Sequence, residues 1–200
     1  FSFKRSVYES LPSIIRHGFG LIPFSWIAGR AYRGTLRQND FIDKASRAVL
    51  RDYQSKRLGD MLRFTTRYVP AYANLRETVE RYKPFIALRA FPVVSKEDIQ
   101  RDLDRYLPTN LSEIPHYECT TGGTSGNQLK FFLDDPSQSV ETAFIHRQWA
   151  RVGYNPRRRK ATFRGVQFDN LRDGIFWQDN PIYNELQFSP FHMHDGTLAL

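Results

Sequence analysis

The sequence predicts an α/β fold, with a mainly helical N-terminal portion over residues 1–110 followed by a mixed α/β subdomain over residues 111–200. Three observations carry this. Leu58, Met61, Leu62, Thr65 and Val69 recur at helical spacing. Ser95 followed by Asp98 makes a capping box in front of another helical stretch. After Pro115 the pattern changes to strand, loop, strand, helix and strand, the succession of an α/β domain.

Taken in order, Asp40 to about Val69 reads as one long helix or two consecutive ones, stopped by Pro70. Tyr68, Pro70 and Tyr72 make an aromatic turn before a second helical stretch near Leu75 to Tyr82. Phe91 to Val94 reads as a short extended segment, and a helix over Glu97 to Tyr106 is closed by Pro108. Tyr117 to Cys119 and Leu129 to Leu133 read as strands on either side of a loop. The next helix has Asp135 as N-cap, Pro136 at its first position, Gln138 three after the cap and Gly153 just past its end. Val140, Ala143, Phe144, Ile145, Trp149 and Val152 form its broad apolar face. Ala161 to Phe163 and Leu186 to Phe188 read as further strands, separated by a polar, aromatic loop around Asp169 to Tyr183.

Composition narrows the partners. A net charge of +8 favours anions such as nucleotides, coenzyme A, anionic lipid or nucleic acid. The only basic run, Arg157 to Lys160, follows Gly153 and Pro156 and reads as a solvated turn, and with no compact basic stripe a nucleic-acid partner is not expected. A single cysteine, Cys119, builds no disulfide framework, so a reducing cytoplasm is the expected compartment. Leu11 to Ala31 is apolar, yet Pro12, Arg16, Gly18, Gly20 and Pro23 interrupt it, so no transmembrane span is expected. Its Ile14, Ile15, Phe19, Ile22, Phe24, Trp26 and Ile27 either pack on the protein or make peripheral membrane contact.

The loop between the two strands carries the chemistry. Gly122, Gly123 and Gly126 permit positive φ and close backbone approach, so that successive amides can point at one anion. Thr120, Thr121, Thr124 and Ser125 add four hydroxyl donors, and Asn127 closes the run. This set suits a triphosphate, while the plain alternative is a surface turn. No lysine follows the last glycine as a P-loop requires, and G-x-G-x-x-G is absent.

The run from Thr120 to Asn127 resembles the [ST]-[ST]-G-[ST]-[ST]-G-[KTE]-P signature of adenylate-forming enzymes, in the form seen in phenylacetate-coenzyme A ligases and their CapK-type relatives. Three other segments extend the resemblance from about Leu50 onward. Leu50 to Tyr72, ending Val69-Pro70-Ala71-Tyr72, is similar to the helix and "vPyY" turn of that family. Phe91 to Ile99 resembles its "lPvltKedi" segment, and Trp149 to Tyr154 its "w.r.Gy". Two departures stand out: Gly123 replaces a hydroxyl residue, and Asn127-Gln128 replaces the usual Lys-Pro, leaving Lys130 as the nearest cation on a strand that can point it either way.

The resemblance implies an ATP-dependent, AMP-forming ligase that converts a small carboxylate to an acyl-adenylate and then to a coenzyme A thioester, with ATP, Mg²⁺ and coenzyme A as cofactors. It also implies an incomplete N-terminal domain, in keeping with a start at Phe1 rather than Met and a stop at Leu200 inside an apolar run, which are expected to be cuts. The family's Mg²⁺-binding glutamate segment, ribose-binding aspartate and late lysine would then lie elsewhere, and the 200 residues alone would not turn over. No catalytic residue is assigned. The altered loop leaves open a non-catalytic capsule or exopolysaccharide biosynthesis protein of the same fold.

Among the remaining candidates, Arg164 follows the strand Ala161 to Phe163, where α/β proteins place ligand groups, and is expected to touch phosphate or substrate. Cys119 reads as a buried strand residue rather than a nucleophile. His192 and His194 alternate as a metal pair would, but two ligands without a third do not make a zinc site. Trp177, Tyr183 and Phe191 are aromatic enough to line an acyl pocket or to pack in loops.

Overall fold

A computed structural model describes residues 22–121, 128–163, 165 and 176–192, and these form a mixed helix-and-sheet protein. The chain divides into two compact units, one from residues 1–39 and 138–200, the other from residues 40–137. Residue 110 lies inside the second unit.

The helical portion begins earlier than its periodicity suggests. Helix α1 spans Phe24–Ile27 and helix α2 spans Gly29–Lys44, with Gly29 at φ +80° taking up the bend between them. The Asp40 to Val69 stretch is two helices: after α2, helix α3 spans Arg47–Tyr68. Ser46, in extended conformation, caps α3 by accepting a hydrogen bond from the Val49 amide. Along α3 the buried residues are Gly59, Leu62 and Thr66, while Met61 is exposed, so the inward stripe is turned by about one residue from the expected face.

A 3-10 turn over Pro70–Leu75 leads into helix α4, Arg76–Arg81, and helix α5 follows at Pro84–Ala87. Leu62, Val79 and Ala87 form the core of the second unit, with Leu58 and Phe91 packed against it. Gly59 lets α5 sit close, since a Cβ there would stand 3.1 Å from Pro84 Cγ. Phe91 to Val94 has no strand pairing, and Val93 is fully exposed. The capping box is present: Ser95 Oγ accepts from the Asp98 amide at 3.1 Å, and Asp98 accepts from the Ser95 amide at 3.1 Å.

The helix expected over Glu97 to Tyr106 is two short ones, α6 (Lys96–Arg101) and α7 (Leu103–Tyr106). Asp102 leaves helical geometry at φ −149° and caps α7 with its own side chain, which accepts from the Arg105 amide. Strands β1 (His116–Thr120) and β2 (Lys130–Asp134) pair antiparallel.

In the first unit, helix α8 spans Ser137–Ala150, opening two residues later than the Asp135 reading; Ser137 Oγ donates to the Asp134 carboxylate at the turn. Its end is a Schellman motif. Gly153, at φ +82°, donates to the Ala150 carbonyl and Tyr154 to the Trp149 carbonyl, and the Trp149 and Tyr154 rings meet edge to face at 5.2 Å. Phe144 and Val152 of the expected apolar face are exposed; the residues that bury are Ala143 and His146.

Three strands complete this unit: β3 (Lys160–Phe163), β4 (Trp177–Asn180) and β5 (Glu185–Phe188). β5 lies in the middle, parallel to β3 and antiparallel to β4. β4 lies in the stretch expected to be loop. Asn184 precedes β5 in the left-handed region at φ 46°, and its amide side chain donates to the Arg157 carbonyl.

Candidate functional site

The glycine- and hydroxyl-rich loop is mounted on the β1–β2 hairpin. Register places Thr120 opposite Lys130, Cys119 opposite Phe131 and Glu118 opposite Phe132. The loop's neck is closed by Thr121, whose amide donates to the Leu129 carbonyl at 2.9 Å and whose Oγ1 accepts from the Leu129 amide at 3.0 Å. The Thr121 O–H is therefore still a donor for an incoming acceptor. Gln100 of α6 donates from Nε2 to the Gln128 carbonyl, tying the loop's base to a helix.

Thr120 and Thr121 are both exposed at this neck. Gly122, Gly123, Thr124, Ser125, Gly126 and Asn127 lie outside the described residues, as does Arg164.

Lys130 does not point along the loop. Its ammonium turns down the stem, 2.6 Å from Glu118 Oε2 and 5.5 Å from the centroid of the Phe132 ring. Both members of that ion pair are about half exposed, 47% and 51%. Such a pair is worth about 0–1 kcal/mol, so a polyanion at the neck would compete for Lys130 against a small barrier.

Cys119 is half-buried on its strand and free of any disulfide. Among the described residues no group of three His, Cys, Asp or Glu side chains could hold a metal ion. His194 and the side chain of His192 fall outside the described set. Trp177 and Phe191 are exposed, whereas Tyr183 packs against Phe24 with ring centroids 5.3 Å apart. The described part of the chain contains no helix long and apolar enough to cross a membrane.

No family model matches this chain, and neither curated proteins nor solved structures give a significant match.

A second constellation, built from residues far apart in the sequence, lies in the first unit. Lys160, the last member of the basic run, leaves its neighbours and enters the interior with a side chain 15% exposed. There its ammonium is 3.4 Å from Glu185 Oε2 and 5.2 to 5.7 Å from the ring centroids of Trp149, Tyr154 and Tyr183. Strand register produces the pair, since Lys160 on β3 and Asn180 on β4 both stand opposite Glu185 on β5.

The Glu185 carboxylate also accepts from Thr162 Oγ1, Asn180 Nδ2 and Gln187 Nε2 at 2.9, 3.1 and 2.6 Å, so a buried charge is well satisfied. Beside it, His146 Nδ1 and the Tyr32 hydroxyl are hydrogen-bonded at 2.8 Å. Burial, then the Lys160 charge, pushes the His146 pKa down to about 4. Burial, then Tyr154, pushes Tyr32 up to about 12, and burial followed by Glu185 raises Tyr154.

At neutral pH the cluster is thus a neutral imidazole between protonated phenols, next to a neutralised ion pair. Glu185 is saturated by its partners and Lys160 is enclosed by aromatic rings. Neither Glu185 nor Lys160 is therefore a free acid or base, while the buried Tyr154 hydroxyl has no hydrogen-bond partner among the described residues. A signal was present in the sequence: a histidine in the middle of a helix, in phase with Ala143 and Trp149.

Proposed function

We propose that this chain carries the ATP-phosphate loop of an AMP-forming acyl-activating ligase, related to the phenylacetate-coenzyme A ligases, that takes a small carboxylate to its acyl-adenylate and then to a coenzyme A thioester. The supporting observation is the mounting of the loop: the run of three glycines and four hydroxyls starts with Thr120 on β1 and Thr121 at a neck that is hydrogen-bonded shut against Leu129. A loop with fixed ends can hold the β and γ phosphates while the substrate carboxylate attacks the α phosphorus in line and pyrophosphate leaves. Catalysis of this kind rests on positioning and charge stabilisation.

Thr120 and Thr121 would contribute hydroxyls, Gly122 to Asn127 the backbone amides, and Lys130 a cation after release from Glu118. Arg164 is assigned as a further phosphate or substrate contact. ATP with Mg²⁺ and coenzyme A are the cofactors implied, and the single cysteine supports a cytoplasmic location.

A second reading, a non-catalytic capsule or exopolysaccharide protein of the same fold, is favoured by Asn127-Gln128 in place of Lys-Pro and by the engagement of Lys130 with Glu118. Calorimetric titration of ATP and of pyrophosphate tests the assignment. Saturable binding lost in Gly126→Trp is the expected result; equal binding by that variant removes the loop from consideration.

A further inference from the structure

We infer that the turn around α5 is a contact surface for an anionic phospholipid bilayer. Its backbone is held at both ends and in the middle: Val79 before it, Ala87 within it and Phe91 after it all pack in or against the core of the second unit. Pro84, at the first position of α5, sits against Gly59. With Ala87 turned wholly inward, its neighbours on the helix and on the 3-10 turn over Leu88–Ala90 point the other way. Phe85, Ile86 and Leu88 are accordingly 43%, 51% and 42% exposed, and Tyr82 and Val93 on the flanking segments are 48% and 100% exposed. A lone exposed apolar side chain is ordinary, but five on one short segment that cannot fold them away form a patch of the kind that marks a protein or membrane contact.

Charge selects the bilayer. From Arg81 to Ser95 the sequence holds no Asp or Glu, while exposed Arg81, Lys83 and Arg89 interleave with the apolar side chains. None of the three makes an ion pair among the described residues, and the nearest carboxylate along the chain, Glu80, is engaged by Arg76 at 3.7 Å. Arg81 lies instead over the Tyr82 ring, 5.9 Å from its centroid. On the α3 side Phe85 borders Arg47 and Arg51, so the positive rim continues onto the neighbouring helix. A bilayer meets both demands of such a surface at once, since its headgroups carry the anions and the acyl boundary beneath them takes up short apolar side chains. The Tyr82 and Phe85 rings suit that boundary, where aromatic side chains concentrate. The assignment goes beyond the ligase reading and uses no residue of the glycine loop.

Co-sedimentation with vesicles tests it. The whole chain is expected to bind vesicles of equal parts phosphatidylcholine and phosphatidylserine at least about tenfold more tightly than phosphatidylcholine alone, and to be released as salt rises. Ile86→Ser/Val93→Ser should weaken binding to the mixed vesicles by about tenfold or more, and Lys83→Gln/Arg89→Gln by a similar factor. Tm should change little in both, because the replaced side chains are half or fully exposed. Arg105→Gln, at an exposed arginine of α7, should leave binding as it is. Ile86→Trp reads position rather than loss: brominated lipid should quench its fluorescence beyond the wild-type level.

No vesicle binding, equal binding to neutral and anionic vesicles, undiminished binding in either double variant, or no added quenching in Ile86→Trp would each overturn the proposal. So would binding that survives both double variants and is lost in Trp26→Ser, which would move the contact to the 72%-exposed indole of α1. Dimerisation abolished by Ile86→Ser/Val93→Ser, without vesicle binding, would make the patch an interface between two copies of the chain and overturn it as well.

Discussion

The Tyr32 hydroxyl and Nδ1 of His146 lie 2.8 Å apart across 114 residues of sequence, both within the buried part of the first unit. The bond joins α2 to α8, and burial followed by the Lys160 charge keeps His146 a neutral ring.

That neutrality makes stability depend on pH with a definite sign. The His146 pKa is about 4 in the folded chain against an ordinary 6.5. Between those values the unfolded chain binds a proton that the folded chain refuses, so stability is fully present above pH 6.5 and is lost as pH falls toward 4. Urea unfolding at pH 7.0 and 4.5 should differ by roughly 2–3 kcal/mol from this source. His146→Gln should flatten that part of the profile, and an identical slope in the variant would remove His146 as its origin.

The Lys160–Glu185 pair predicts strong coupling. With side chains 15% and 7% exposed, removal of either partner leaves a charge in the interior. Lys160→Met and Glu185→Gln should each cost about 3–5 kcal/mol. The double variant should cost well under the sum of the two. Additive losses in denaturant midpoints would show that the pair is not a pair in solution.

Much of the hairpin and of the helix ends could be read from the sequence, because the signals are local. Gly153 needs positive φ to end α8, and Ser95 with Asp98 caps α6 within four residues. What escaped depends on partners distant in sequence. Trp177 to Asn180 is three-quarters polar and reads as loop, but pairing with β5 makes it a strand. Lys160 reads as part of a solvated basic run, and only the register of β3 against β5 sets it opposite Glu185. The split of Glu97 to Tyr106 was legible in principle, since Asp102 stands three residues before the amide it caps. In the candidate site, residue types announced the loop, whereas the direction of Lys130 follows from its diagonal contact with Glu118 across the stem.

Freeing Lys130 should alter anion binding without altering the fold. Glu118→Gln removes a half-exposed partner, so stability should change by no more than about 1 kcal/mol. If the loop binds phosphate, pyrophosphate affinity should rise by a few-fold at low salt, and the gain should fade as ionic strength increases. Unchanged affinity in calorimetry would mean that Lys130 stays clear of the ligand.

Gly59 is expected to accept alanine and reject anything larger. The new Cβ would lie 3.1 Å from Pro84 Cγ and 3.3 Å from the flexible Arg63 guanidinium, a tight but yielding contact that the gain in helix propensity, about 1 kcal/mol, can offset. Gly59→Leu has no such room and should destabilise by about 1–3 kcal/mol through displacement of α5. Thermal melts of both variants decide this, and a stable leucine variant would contradict the close approach.

The doubled hydrogen bond between Thr121 and Leu129 separates what the hairpin displays from what keeps it in register. Because the ends of the segment are clamped, lengthening it by a few residues adds only a few tenths of a kcal/mol in closure entropy and leaves β1 and β2 aligned. The stem can therefore serve as a ready-made platform for exchanging one surface segment for another, so that recognition can be re-engineered, or drift under selection, without unsettling the strands beneath it.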